Sequence, residues 1–211
     1  MSLGERLQAA VGKNIDRICP NRFHDAGANH CAHFVSHMCG IDFSFHCVQF
    51  QGGSGERANI RVHEIFAQCP KVGRWADADQ GRTQLVFVTA KSNVNVDQKR
   101  MGNIPQKHVG VFHQGTIFHY GNTADKVVTD TPQSFLNKFQ TLYDGDQGLF
   151  FGHIPGENLV LNVQPTGAGV RAGKKFEVPD PAGGTWKARL VGDPDFFLVG
   201  KETINERKGF F

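Results

Sequence analysis

The sequence lacks any apolar run long enough to cross a bilayer, which takes about 20 consecutive apolar residues. It has no Cys-x-x-Cys pair, although the 211 residues include five cysteines. Aromatic residues other than Phe are scarce, with two Trp and two Tyr against 18 Phe. We therefore expect no membrane span, and the odd cysteine count indicates that at least one thiol stays outside any disulfide within the chain.

A basic leader followed by an apolar segment is also missing from the first residues, which read Met-Ser-Leu-Gly-Glu. That pattern is the one expected of a cleaved secretory signal. We expect the protein to be made in the cytoplasm without a signal peptide. If it acts elsewhere, a signal-independent secretion system must export it.

Charge of either sign is not concentrated anywhere. The formal net charge is +3, from 23 Lys and Arg and 20 Asp and Glu. The densest basic cluster, near 171–175, is short and has no interleaved aromatic residues. Proteins that bind nucleic acid usually carry a basic patch or stripe, so we expect no nucleic-acid partner.

Hydrophobic periodicity changes along the chain from helical to strand-like. The pattern predicts helices followed by strands, which indicates an α+β fold with N-terminal helices packed on a central antiparallel sheet. The predicted helices are 2–18, 30–39, 58–68 and a segment that starts at Thr131-Pro132 and ends near 139. The predicted strands are 85–88, 108–112, 116–120 and a further one at 126–128, with a loop over 91–107.

After Pro155 the composition changes, because Gly and Pro cluster between short strand-like runs. We divide the chain into a catalytic domain over 1–155 and a β-rich C-terminal extension of that domain over 156–211. The strand-like runs of the extension are 158–163, 174–178, 185–191 and 196–199. The sequence does not indicate what the extension does.

Cys31 is a candidate nucleophile, since it falls in the first turn of the helix predicted over 30–39, with Asn29 as its N-cap. A thiol with an ordinary pKa of about 8.5 must lose its proton to react. Backbone N–H groups and the dipole at a helix N-terminus favour the thiolate and can later hold an oxyanion. The other four cysteines are expected to serve packing, and their disulfide state stays open.

Two histidines lie on opposite arms of a predicted hairpin. His108 opens the first strand, and His119 lies on the return strand after the Gln114-Gly115 turn. Adjacent strands let one imidazole orient the other, which is the logic of nucleophile, base and orienter. His108 is the candidate base and His119 the candidate orienter, with Asn122 as an open alternative for the third position.

This order of elements resembles the core of NlpC/p60 hydrolases, which are papain-like cysteine enzymes. The resemblance covers roughly residues 29–125 and is carried by the Cys31 helix, the Leu-Val-Phe strand, and His-Val-Gly-Val-Phe followed by a Gly turn and Ile-Phe-His. It implies a papain-like fold with Cys31, His108 and His119 as catalytic residues. Many members have Asp before the Cys and Ser-Gly after it, whereas His30 and Ala32-His33 stand here.

The resemblance implies hydrolysis of an amide bond in peptidoglycan stem peptides, by an endopeptidase or amidase. Without a signal peptide, export from a bacterial cytoplasm as an antibacterial effector is the natural hypothesis, with an immunity protein as a further partner. One alternative keeps the Cys-His chemistry in a protease or deamidase that acts on protein, or in a lipid acyltransferase.

A second alternative is a module without enzymatic activity that binds zinc or a partner. His30, His33 and His37 share one face of the predicted helix. A zinc site needs ligands that converge from separate elements, and the sequence shows no second cluster at matching spacing. We therefore expect neither a metal site nor a cofactor.

Overall fold

The computed structural model describes residues 1–156, 175–179, 185–190 and 196–198. The chain divides into two compact units, Met1–Asn158 and Leu159–Phe211. The first unit combines helices with an antiparallel sheet, so the predicted α+β class is confirmed.

Four of the five described α-helices precede all the strands, and the fifth lies between the last two strands of the first unit. The α-helices are α1 (Leu3–Ala10), α2 (Cys31–Cys39), α3 (Cys47–Gln51), α4 (Val62–Gln68) and α5 (Pro132–Leu142). The strands of the first unit are β1 (Val72–Arg74), β2 (Gln84–Ala90), β3 (Val94–Asn95), β4 (Arg100–Met101), β5 (Lys107–His113), β6 (Thr116–Gly121), β7 (Lys126–Asp130) and β8 (Gln147–Gly152). Those of the second unit are β9 (Lys175–Pro179), β10 (Thr185–Leu190) and β11 (Phe196–Leu198).

The first helix begins as predicted, with a capping box. The Ser2 side chain accepts from the Glu5 backbone N–H, and the Glu5 carboxylate accepts from the Ser2 backbone N–H. It ends at Ala10 rather than near residue 18. Gly12 adopts a φ of 79°, a conformation that glycine reaches without strain and that ends the helix. A separate 3₁₀ turn over Ile15–Arg17 follows.

Helix α2 occupies nearly the range predicted from the sequence. Its N-cap residue is His30, which makes no side-chain capping bond. Asn29, the predicted cap, instead accepts from the Cys31 backbone N–H at 3.0 Å. At the other end Gly40 takes the left-handed conformation, with φ of 67°, and terminates the helix as predicted.

Six strands form the central sheet in the order β1-β8-β2-β5-β6-β7, with every neighbouring pair antiparallel. The predicted hairpin is β5–β6, and its turn residues Gln114 and Gly115 have φ of 48° and 82°. The ladder between β5 and β6 ends at the Val111–Phe118 pair, whereas β5 stays paired with β2 down to Lys107. The β5–β6 ladder therefore covers only the second half of β5.

Each face of this sheet carries its own core. On one face α1, α2 and α4 pack against side chains that include Phe87, Val109 and Phe118. On the other face the α5 side chains Phe135 and Phe139 form a second core with neighbouring strand residues. Alternation along a strand sends successive side chains to opposite faces, so both faces are buried.

Some short elements differ from the prediction. The segment 91–107, predicted as a loop, contains a 3₁₀ turn and the small β3–β4 pair. Helix α3 and strand β1 were not predicted, since each is too short to show a period.

In the second unit, β9, β10 and β11 form an antiparallel sheet in the order β11-β10-β9 and agree with three of the predicted runs. The run predicted over 158–163 lies outside the described residues. That residues 156–211 are an extension of the first domain stays a prediction.

Among the described residues, no helix combines the length and the apolar character that a membrane crossing requires.

Candidate active site

Two histidines and an aspartate form a hydrogen-bonded chain across three strands. His108 Nε2 on β5 lies 3.0 Å from His119 Nδ1 on β6. His119 Nε2 lies 2.8 Å from Asp130 Oδ2 at the end of β7. The two imidazoles meet nearly edge to face, with ring centroids 5.0 Å apart. The hairpin therefore brings the predicted base and orienter into contact.

The carboxylate of Asp130 is held by three groups from its surroundings. Besides His119, it accepts from the ammonium of Lys138 and, at 3.1 Å, from the hydroxyl of Ser134. Burial by itself would raise the pKa of Asp130, but the bonds from His119 and Lys138 outweigh it and hold that pKa below its ordinary value. Asp130 is therefore a carboxylate at neutral pH.

The two imidazoles are enclosed by aromatic rings of α5. The His108 ring lies 4.6 Å from Phe139, and the His119 ring lies 4.9 Å from Phe135, centroid to centroid. Burial lowers the pKa of His108 well below 6.5, and the neighbouring His119 adds to that effect. Burial also lowers the pKa of His119, although the Asp130 bond opposes it. Both rings are therefore neutral at physiological pH.

Hydrogen-bond directions define the tautomers of this chain. A carboxylate only accepts, so His119 donates from Nε2 and its Nδ1 keeps the lone pair. His108 must then donate from Nε2, which leaves a lone pair on its Nδ1. That Nδ1 is buried and has no hydrogen-bond partner in the described part of the chain. The chain thus ends in an unused proton acceptor.

Cys31 lies at the start of α2, where the helix meets β5. The backbone N–H of Val109, the residue after His108, lies close enough to the sulfur to lower the pKa of the thiol. Val109 is beyond the last β5–β6 ladder pair, which is Val111–Phe118. The fold therefore places Cys31 next to the strand position that carries His108.

Burial raises the pKa of the Cys31 thiol to about 11, while N–H groups of Val109 and Ala32 and the charge of Lys107 lower it by less. The helix N-terminus predicted from the sequence is present, but removal of the sulfur from water outweighs its effect. The resting state is therefore a neutral thiol beside neutral imidazoles.

The structure does not join every predicted site residue. In the described chain no hydrogen bond connects Cys31 to His108, and the His108 ring faces α5 whereas Cys31 belongs to the core on the α2 side. Asn122, the alternative third residue, accepts from the His30 backbone N–H at 3.2 Å and takes no part in the histidine chain.

Cys31 and His108 are 1% and 2% exposed, so solvent does not reach either group. Tyr143, which follows α5, is close enough for the charge of Cys31 to help raise its pKa, after burial as the main cause. An open groove lined by Trp75, Lys91 and Phe150 lies elsewhere, and neither Cys31 nor His108 lines it. A substrate would reach the sulfur only after the covering groups move.

Asp130 is the site residue that the sequence analysis missed. It pairs with Ile117 in the ladder, which places it on the same sheet face as His119. The signal for it was the strand predicted at 126–128, since a strand next to His119 should present its alternate residues to that imidazole.

Comparison with family models, with curated proteins and with solved structures gives no match to this chain. What the fold and the site define is an α+β protein that buries a Cys-containing helix start beside a His-His-Asp chain.

Proposed function

We propose that this protein is a cysteine hydrolase of the papain-like NlpC/p60 kind, with Cys31 as nucleophile, His108 as base and His119 as orienter. The supporting observation is the chain from Asp130 through His119 to His108, which ends in an unpartnered Nδ1 next to the strand position that contacts the Cys31 sulfur.

Each member of the chain has a defined part in the proposed reaction. Asp130 fixes the tautomer of His119, and His119 fixes that of His108, so that Nδ1 of His108 is basic. The Cys31 thiol transfers its proton to this Nδ1, and the thiolate attacks the carbonyl carbon of an amide. The resulting imidazolium is stabilised through His119 by the carboxylate charge.

The leaving amine then takes the proton from His108, and an acyl thioester remains on Cys31. A water molecule attacks the thioester while His108 accepts its proton. The carboxylic acid leaves, and the thiol regains the proton. The Cys31 N–H can support the oxyanion only after it exchanges its bond to the Asn29 side chain.

Because the resting site is buried, substrate binding must supply part of the free energy that opens it. Because the His108 ring faces α5 and Cys31 lies in the core on the α2 side, rotation of the sulfur alone is not enough. Strand β5 or helix α2 has to shift so that the sulfur reaches His108 Nδ1, and the cover near Tyr143 has to open. A neutral thiol and a neutral imidazole suit general-base activation at the moment of attack, rather than a preformed ion pair.

The resemblance of the Cys31 helix and the His-Val-Gly hairpin to NlpC/p60 enzymes supports peptidoglycan stem peptides as the substrate. In the same proposal the protein is an exported antibacterial effector, with an immunity protein in the producing cell.

Purified cell-wall sacculi test this function. Wild-type protein should release muropeptide fragments, and Cys31→Ala should release none, while Cys39→Ser, a change on the same helix, should retain activity. Cys31→Ala as active as wild type would overturn the proposal. Cys31-dependent hydrolysis of a protein or thioester reporter without muropeptide release would instead assign the chemistry to another acyl substrate.

A further inference from the structure

Four metal-ligating side chains meet in the interior, away from the histidine chain of the active site. Cys19, His33, His37 and Cys47 are all buried, and one ligand atom from each lies within 4.8 Å of all the others. In a tetrahedral zinc site with the usual bond lengths, the ligand atoms are roughly 3.3–3.8 Å apart. The distances between the ligand atoms would therefore have to shorten by about 1.5 Å at most to complete the site.

The four ligands come from three separate segments of the fold. Cys19 follows the 3₁₀ turn that ends at Arg17, and Cys47 is the first residue of α3. His33 and His37 are one helical turn apart on α2, so both point in the same direction. The sequence places His30, His33 and His37 on one helix face but does not indicate the two cysteines, because only the fold brings Cys19 and Cys47 to that helix.

Both histidines present an unused nitrogen. Nε2 of His33 and Nε2 of His37 are buried and have no hydrogen-bond partner among the described residues. Leaving a buried polar atom unpaired is unfavourable, because the atom loses its hydrogen bonds to water. A bound cation would satisfy both nitrogens at once.

Hydrogen bonds fix one of these nitrogens in the unprotonated form that a metal can bind. His30 Nε2 lies 2.7 Å from the carbonyl oxygen of Asp25 and must donate to it. His30 Nδ1 therefore accepts from His33 Nδ1, 3.1 Å away. Neutral His33 then carries its lone pair on Nε2, the ring nitrogen that is left for a metal. Support of a ligating histidine through its other ring nitrogen is the usual arrangement in metal sites.

A single residue, Asn21, donates hydrogen bonds to both sulfurs. The backbone N–H of Asn21 donates to Cys19 Sγ, and its side-chain amide donates to Cys47 Sγ, each at 3.3 Å. Asn21 is fixed in turn by the backbone N–H of Gly55 and the carbonyl of Glu56. N–H groups aimed at sulfur stabilise thiolates, and the two cysteines are not joined in a disulfide.

We propose that Cys19, His33, His37 and Cys47 bind one Zn²⁺ in a closed tetrahedral site. Two thiolates and two neutral imidazoles match the preference of zinc for sulfur and nitrogen, and the thiolates balance the charge of the ion. Binding releases the two thiol protons to solvent. With four protein ligands the site has no open position, so its role is structural: it ties the segment at Cys19 and the start of α3 to α2.

The first test measures zinc by mass spectrometry in protein from zinc-supplemented culture. One zinc per chain is expected for wild type, and a loss to below a tenth is expected for Cys19→Ser and Cys47→Ser. Cys69→Ser is the matched control, because Cys69 is equally buried and bonds the Ile65 carbonyl instead. Equal zinc loss in the control would overturn the proposal.

A second test needs no variant and so does not depend on whether the variants fold. Wild-type protein is stripped with a chelator, kept reduced and titrated with Co²⁺. Sulfur-to-cobalt charge-transfer absorption and the intense d–d bands of tetrahedral cobalt are expected at one equivalent, and added Zn²⁺ should abolish them. Weak octahedral bands without a sulfur band, in protein that also purifies without zinc, would refute the site. Neither test measures hydrolysis, so the result is independent of the proposed activity.

Discussion

Nε2 of His119 donates to Oδ2 of Asp130 across 2.8 Å, and this bond sets the proton positions in both imidazoles of the proposed active site. If the proposed activity is correct, Asp130→Asn should lower kcat roughly 10²- to 10⁴-fold with little change in KM, because the tautomer and the charge behind His119 are both lost. Muropeptide release measured at several substrate concentrations checks this.

The matched control for that variant is Asp125→Asn, the same substitution at a carboxylate that accepts from the Tyr120 hydroxyl. It should keep turnover near the wild-type value. Nitrogen NMR of the histidine rings should also show protonated Nε2 in His108 and in His119 of the wild type. Wild-type turnover in Asp130→Asn would exclude the relay.

Gly110→Ala should disturb the same relay sterically. A Cβ at Gly110 would lie 2.7 Å from Ile117 Cγ2 and 3.1 Å from the Cβ of His119. Overpacking of this kind costs about 1–3 kcal/mol in the free energy of unfolding. Urea denaturation checks it, with Gly27→Ala as control, since there a Cβ would meet only the Asp25 carboxylate, at 3.3 Å. Equal stability of the two variants would contradict the prediction.

The free energy of unfolding should fall as the pH drops below about 6.5. Unfolded His108 takes up a proton near that pH, whereas folded His108 stays neutral because burial lowers its pKa. The unfolded state then binds more protons, and each such histidine contributes up to about 1.4 kcal/mol per pH unit. Denaturation curves between pH 5 and 8 should show a shallower slope for His108→Gln, and an unchanged slope would count against the buried neutral imidazole.

Alkylation by iodoacetamide should begin at Cys39, which is more exposed than the other four cysteines. Cys31 should react slowly at neutral pH, because it is buried and its pKa is raised to about 11. This differs from the fast labelling that a helix N-terminus alone would suggest. Mass spectrometry of timed digests checks the order, and Cys31 labelled before Cys39 would show that the site opens readily.

The sequence was sufficient for features that depend on local patterns. The hairpin turn at Gln114-Gly115, the start of α1 next to Ser2 and the end of α2 before Gly40 follow from glycine conformations and capping chemistry, and all three agree with the predicted ranges. The contact of His108 with His119 follows from adjacent strands.

The rest depends on contacts between distant segments. Burial of Cys31 comes from packing against β5, which no local pattern reports, and it reverses the expected direction of the thiol pKa. Cys19 and Cys47 are separated by 28 positions in the chain and meet only because the loops on either side of α2 fold back over the helix. A search by fixed ligand spacing could not find them.

Helix α2 carries the proposed nucleophile at its first residue and both proposed nitrogen ligands further along. Its nine residues span about 13 Å, so the helix behaves as a short rigid rod that cannot tilt at one end alone. An ion bound at His33 and His37 would thus set the angle at which the sulfur approaches strand β5. The supply of zinc in the cell would then decide what fraction of the molecules is aligned for reaction.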